Sequence, residues 1–136
     1  MNSRLRRVHA AAFLLCGACT GTAAMELEFS DSASCRANEI PLGSPARIEA
    51  KRDGGRVSVS VAANYGCQTA AGRPRIEESA DELRLYADTV LPDHPTPACK
   101  CTRHLTYRFT LDGPEGRRIV FVKDGRVEGE GRLDPQ

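Results

Sequence analysis

Apolar and polar residues alternate along most of this chain after its first 25 positions, and a period of two marks strands with one buried face. Leu27 and Phe29 alternate with Glu26 and Glu28. Arg47-Ile48-Glu49-Ala50-Lys51 leads into Asp53-Gly54-Gly55, and Val57, Val59 and Val61 then alternate with serines. Two alternating runs joined by Asp-Gly-Gly predict a hairpin, because both glycines accept positive φ. The second strand should end near Asn64-Tyr65-Gly66-Cys67, before a polar loop with Gly72 and Pro74. A shorter strand pair is expected around Ile76 and Leu83 to Tyr86, turning at Ser79-Ala80-Asp81, although Glu77 to Leu85 also contains good helix formers. Pro92, Pro95 and Pro97 make Leu91 to Pro97 an irregular connection, since prolines so closely spaced forbid both helix and ladder.

The clearest strand is carried by Leu105, Tyr107, Phe109 and Leu111, with Arg118 to Val122 as its expected partner through Asp112 to Gly116. Lys123-Asp124-Gly125-Arg126 reads as another tight turn, and Val127 to Leu133 as an edge strand weakened by Gly129 and Gly131. Seven or eight short, regularly spaced strands predict an all-β fold, a small antiparallel immunoglobulin-like β-sandwich, with a small β-barrel as the alternative. The chain has 136 residues, no tryptophan and few aromatics, so one lean core of Val, Leu, Ile and Phe is expected over residues 25–136.

Residues 1–24 read differently. Three arginines in Met1 to Arg7 precede an Ala, Leu and Phe stretch that ends in small residues, the order of a secretory leader, and this stretch is too short to span a bilayer. Leu15-Cys16-Gly17-Ala18-Cys19-Thr20 resembles a bacterial lipobox, with Cys16 where an aliphatic residue is usual. That resemblance implies cleavage before Cys19, acylation of its thiol, and an outer-membrane lipoprotein facing the periplasm or surface. The alternative is ordinary cleavage after Ala24, giving a soluble periplasmic or secreted protein. Loss of the leader removes three of 19 bases and none of 18 acids, so the remaining chain carries about −2. A near-neutral surface argues against nucleic acid as a partner.

Beyond the leader stand Cys35, Cys67, Cys99 and Cys101, and an even count in a small exported domain reads as two disulfides. If Cys99-Lys100-Cys101 is extended, its two cysteines point the same way without converging, so each should reach Cys35 or Cys67, in an order left open. A competing metal site would combine His94, Cys99, Cys101 and His104, two imidazoles and two thiolates suited to zinc or cuprous copper. There is no Gly-x-Ser-x-Gly, no His-Glu-x-x-His and no phosphate-cradling glycine loop, so no enzyme and no cofactor is expected. Glu77, Glu78, Asp81 and Glu82 read as a solvated acidic face.

Asn64-Tyr65-Gly66-Cys67, then a strand pair, then Cys99-Lys100-Cys101 before alternating Leu105, Tyr107 and Phe109, resembles a recurrent type of small bacterial exported protein or lipoprotein. The likeness covers most of the stretch from Arg47 to Val122, does not include Cys35, and implies location and fold without a mechanism. The expected function is a cell-envelope binding or structural module for an envelope protein or glycan, held to the membrane by its lipid. Alternatives are an inhibitor of a secreted hydrolase, wedging the stiff Leu91 to Ala98 loop into its target, and periplasmic copper or zinc handling.

Overall fold

Eight strands run in the order β1 Glu28–Asp31, β2 Arg47–Asp53, β3 Arg56–Gly66, β4 Ala70–Glu78, β5 Glu82–Val90, β6 Lys100–Thr110, β7 Arg118–Lys123 and β8 Arg126–Arg132. This computed structural model describes residues 26–32, 35, 39–95, 98–112 and 116–134, so the leader with Cys19 lies outside the described residues. The strands form two four-stranded sheets, β1-β6-β3-β2 and β4-β5-β7-β8, packed as a β-sandwich rather than a closed barrel. Val57, Val59, Val61, Leu105 and Tyr107 from the first sheet meet Leu83, Leu85, Ala87, Ile119 and Phe121 from the second.

Three hairpins follow the turn chemistry. At β2–β3 only Gly54 takes the left-handed conformation (φ 58°), whereas the β7–β8 turn uses both Asp124 (φ 49°) and Gly125 (φ 76°). The region from Glu77 to Leu85 is strand, turn and strand, not helix. Gly72 and Pro74 lie inside β4 rather than in a loop, at a register shift between Gly72 and Arg75. A bulge on an edge strand tolerates a residue without an N–H, which is why proline fits there.

The expected pairing of β6 with β7 is corrected. β6 pairs with β3 and β1, while β7 lies parallel to β5 and antiparallel to β8. Ile119, Val120, Phe121 and Val122 form a run buried on both faces, which suits a central strand. Because the chain leaves β5, runs back through β6 in the opposite sheet and returns, β7 enters in the same direction as β5. The crossover that a parallel pair requires is here a strand of the other sheet.

Two tyrosines cross the core. Tyr65 Oη donates to Ala87 O (2.8 Å) and Tyr107 Oη to Tyr86 O (2.9 Å), both buried. Ala87 lies opposite the bulge, where β4 slips register, so its carbonyl is available to the hydroxyl. Burial, the largest cause, and nearby negative charges push both phenols far above their ordinary value.

At the adjoining edges β2 and β8 approach closely, and Ala46 N–H donates to Glu128 O. A Cβ on Gly129 would lie 2.5 Å from Ala46 O and 3.0 Å from Ala46 Cβ; one on Gly131 would lie 3.0 Å from Ile48 Cβ. Gly129 makes room for a neighbouring backbone and Gly131 for the Ile48 side chain, instead of merely weakening an edge. At the other edges, Asp31 on β1 accepts Ala71 N–H of β4 and the Arg103 guanidinium of β6 (2.8 Å), and Arg103 also donates to Thr69 O and Ser32 O.

Two predictions follow from these contacts. Gly129→Ala should lower the unfolding free energy by about 1–3 kcal/mol through overpacking against a backbone oxygen, and Gly131→Ala by less, in urea unfolding. A Gly129→Ala protein as stable as the parent would show that β2 and β8 do not meet as described. Second, a tyrosine held neutral in the fold but ionised above about pH 10 when unfolded leaves stability intact below that pH and erodes it above. Unfolding free energy measured between about pH 9 and pH 11 should therefore fall with pH, and fall less steeply in a Tyr65→Phe, Tyr107→Phe double variant.

Candidate functional site

The cysteines gather at one end of the sandwich. Disulfides join Cys35 to Cys101 and Cys67 to Cys99, each with Cα atoms 5.4 Å apart. Cys101 lies within β6 and Cys99 just before it, so the extended CxC sends its sulfurs to two different partners. Cys67 follows β3, and its N–H donates to Cys99 O, continuing the β3–β6 ladder by one step. The two bridges thus hold opposite sides of the start of β6.

This end also docks the segment before β2. Thr102 Oγ1 accepts Ile40 N–H (3.1 Å) and donates to Asn64 Oδ1 (2.8 Å), while Asn64 Nδ2 donates to Ile40 O (2.9 Å). Ile40 is consequently buried, and the chain from Leu42 to Ala46 forms one wall of a cleft. Each residue of Asn64-Tyr65-Gly66-Cys67 has a structural role here: Asn64 clamps Ile40, Tyr65 spans the core, Gly66 O accepts Thr69 N–H and Oγ1, and Cys67 is bridged.

The cleft has a volume of roughly 390 Å³ and is floored by Ala46, Ala63 and Asn64, with Lys100, Lys123, Val127 and Glu128 around it. Lys123 comes from the end of β7, where the strand's alternation turns it inward. Its side chain is 13% exposed, and its nearest carboxylate, Glu128, is 3.9 Å away. Its ammonium donates to Asn64 O (2.6 Å) and stands 4.9 Å from the centre of the Tyr65 ring. Burial, which outweighs the attraction of Glu128, holds the Lys123 ammonium below its usual lysine value, and Lys100 adds to that effect.

Beside the cleft, the β7–β8 turn is tied to β5. Asp124 accepts from Thr89 N–H (2.8 Å) and Thr89 Oγ1 (2.6 Å), and its own N–H donates to Asp88 Oδ1. Burial alone would raise the Asp124 carboxyl, but the two Thr89 bonds with Lys123 and Arg73 hold it below the ordinary carboxylate value. Among the described residues, the large apolar side chains left exposed are Leu42, Val90, Leu91 and Val127. All four lie at this end, two lining the Lys123 cleft and two lining a shallow depression with Arg73 and Thr89.

The alternative metal set is not assembled. The sulfurs of Cys99 and Cys101 are joined to Cys67 and Cys35 and do not present thiolates. His94 lies in the exposed connection with Nδ1 beside Pro95 O, and His104 Nε2 sits 2.6 Å from Glu39 Oε2. Thr96 and Pro97 of the proline-rich connection lie outside the described residues. Of the four acids expected on a solvated face, Glu77, Glu78 and Asp81 are exposed and Glu82 is half-buried; Glu77 accepts from Tyr86 Oη, Glu78 from Arg117 and Glu82 from Arg84.

Lys100, Lys123 and Glu128 did not stand out in the alternation pattern. One signal was present, since arginine outnumbers lysine 16 to 3 in this chain and two of the three lysines line this cleft. No protein-family model matches the chain, and no curated protein and no solved structure matches it either.

Loop-closure entropy ranks the two bridges. They span sequence separations of 66 for Cys35–Cys101 and 32 for Cys67–Cys99. Replacing either pair by alanines should cost about 2–4 kcal/mol, with the longer loop losing about 0.6 kcal/mol more. Urea midpoints of the two double variants check this, and a reversed order would assign the difference to native packing around Cys67 and Cys99.

Proposed function

We propose that the protein is an exported, non-catalytic binding module of the cell envelope, attached through its N-terminal end and presenting its disulfide end to a protein or glycan partner. Two disulfides fit an oxidising compartment outside the cytosol. The leader and the Cys19 lipobox support export and an acyl anchor, and the multiple acyl chains of such a lipoprotein suffice for firm attachment.

The observation that carries this reading is the polarity of the sandwich. Glu28 opens β1 beside Arg108, whereas the bridged Cys101 lies seven residues earlier along β6. At about 3.4 Å per residue that is roughly 24 Å, about two-thirds of the length of the 11-residue β6. Glu26 lies at the same far end, in a depression shared with Arg56 and Thr110. A chain tethered at Cys19 would therefore enter one end and leave the other facing away from the membrane. That outward end carries the exposed Leu42 and Leu91 in connections and Val90 and Val127 at strand ends, on the same end as the two bridges. Loops held on a rigid scaffold lose less entropy on binding, which suits them to recognition.

The test has two parts. Intact mass after maturation in a Gram-negative host should show an acylated Cys19 and a gain of four hydrogens on reduction, one pair per bridge. Photo-cross-linkers at Leu42 or Leu91 should capture an envelope component that one at Thr106, on the outer face of the first sheet, does not. An unacylated chain in the cytosol, or equal capture from both positions, would overturn the proposal.

A further inference from the structure

The cleft at the disulfide end combines two features that a binding surface for apolar groups alone would not need. Lys123 is largely buried, and its carboxylate neighbours engage it weakly: Glu128 stands at 3.9 Å, the outer limit of an ion pair, and Asp124 is taken up by Thr89. Burying a charge is costly unless it is neutralised, and the Lys123 ammonium donates its hydrogen bond to a neutral carbonyl and stands near a ring face, while Glu128 and Asp124 attract it only from a distance. Lys100, close enough to disfavour its charge further, lines the same cleft. The lining itself, two ammonium groups and one carboxylate, carries a single net positive charge, with Asp124 outside it and bound by Thr89. The second feature is apolar: Leu42, Pro45 and Val127 stand beside the lysines, with Leu42 73% and Val127 52% exposed.

We infer that this cleft binds the free C-terminal carboxylate of a partner polypeptide whose last side chain is apolar. A monoanion matches the net charge, whereas a phosphate dianion would exceed it. A chain terminus also carries its carboxylate and side chain on one Cα, as the cleft sets its ammonium groups directly beside its apolar wall. Lysine's three donors allow Lys123 to keep its bond to Asn64 O while accepting the ligand as a new counter-ion. A volume of roughly 390 Å³ lies in the range of small-ligand sites, about 300–1,000 Å³. This inference rests on the disulfide end being the binding end and specifies what it recognises there.

The experiment is a titration of the ¹⁵N-labelled, oxidised protein, followed by amide NMR, with three peptides. They are acetyl-alanyl-leucine with a free carboxylate, the same dipeptide amidated, and amidated acetyl-glutamyl-leucine. The free acid should shift the amides of Gly43, Ser44, Ala63, Lys100 and Lys123, and the neutral amide should bind about tenfold more weakly, the worth of one charge-assisted hydrogen bond. Lys100→Met, at an exposed position, should weaken the acid alone. Glu128→Gln removes the competing carboxylate and should tighten it by about threefold, a change of opposite sign that loss of folding cannot mimic. Equal binding of the acid and its neutral amide, no localised shift up to the solubility limit, or equally good binding of the glutamyl amide would overturn the assignment. Failure here alongside successful cross-linking from Leu42 would reject the carboxylate and leave the binding end standing.

Discussion

The hydroxyls of Tyr65 and Tyr107 end on the neighbouring carbonyls of Ala87 and Tyr86, and these two bonds fix how one sheet lies on the other. Apolar contact alone is indifferent to sliding, because Val, Leu and Ile surfaces interdigitate in many offsets. A buried hydroxyl is not indifferent, since leaving it or its acceptor unpaired costs about 1–3 kcal/mol. The acceptor in turn needs the β4 bulge, which sets Ala87 outside the regular ladder. With that offset fixed, the β2–β8 edges meet at Gly129 and Gly131, and the opposite edges meet at Asp31. The same placement sets Lys123 of the second sheet against Asn64 O of the first, so the cleft is built across the sandwich and inherits its register.

How much of this was legible depends on whether the information was local. The strand regions follow from alternation, and the hairpins from Asp53-Gly54-Gly55 and Asp124-Gly125, because each needs only neighbouring residues. The choice of partner for β6 was not local. Its alternation records one buried face, but β3, not the next strand, pairs with it, and only the two-sided burial of Ile119 to Val122 hinted that β7 belongs in the other sheet. Pro74 misled for a related reason. It forbids a regular ladder position and permits a bulge, and the sequence does not distinguish a loop from a bulge that tertiary bonds employ.

The cysteines were legible as a set of two bridges and not as a connectivity, since extended CxC geometry excludes only the mutual pair. The observed order follows from where strands begin: Cys67 and Cys99 continue the β3–β6 ladder, which leaves Cys101 for Cys35. The cleft was nearly invisible. Lys123 read as part of a turn, and its importance arises only because β7 is turned so that its last residue points inward beneath Asn64, 59 residues away.

The placement of the disulfides follows from the same geometry. At the far end, Leu111 and Leu133 are fully buried and backbone bonds from Leu133 and Gly116 close the sandwich, so packing and hydrogen bonding hold that end without covalent help. The other end gathers the crossing segments after β3 and β5 and the docked segment before β2, backbone that no ladder satisfies for long. Ile40 is buried there, but Leu42, Val90, Leu91 and Val127 are exposed and contribute less burial than core side chains do. Had those side chains been folded inward, they would have stabilised the end and removed its apolar surface. Cross-links offset that loss, because they restrict the unfolded chain without drawing on those exposed side chains. The bridges are therefore found where an exposed apolar rim and a largely buried lysine would otherwise leave the sandwich least stable.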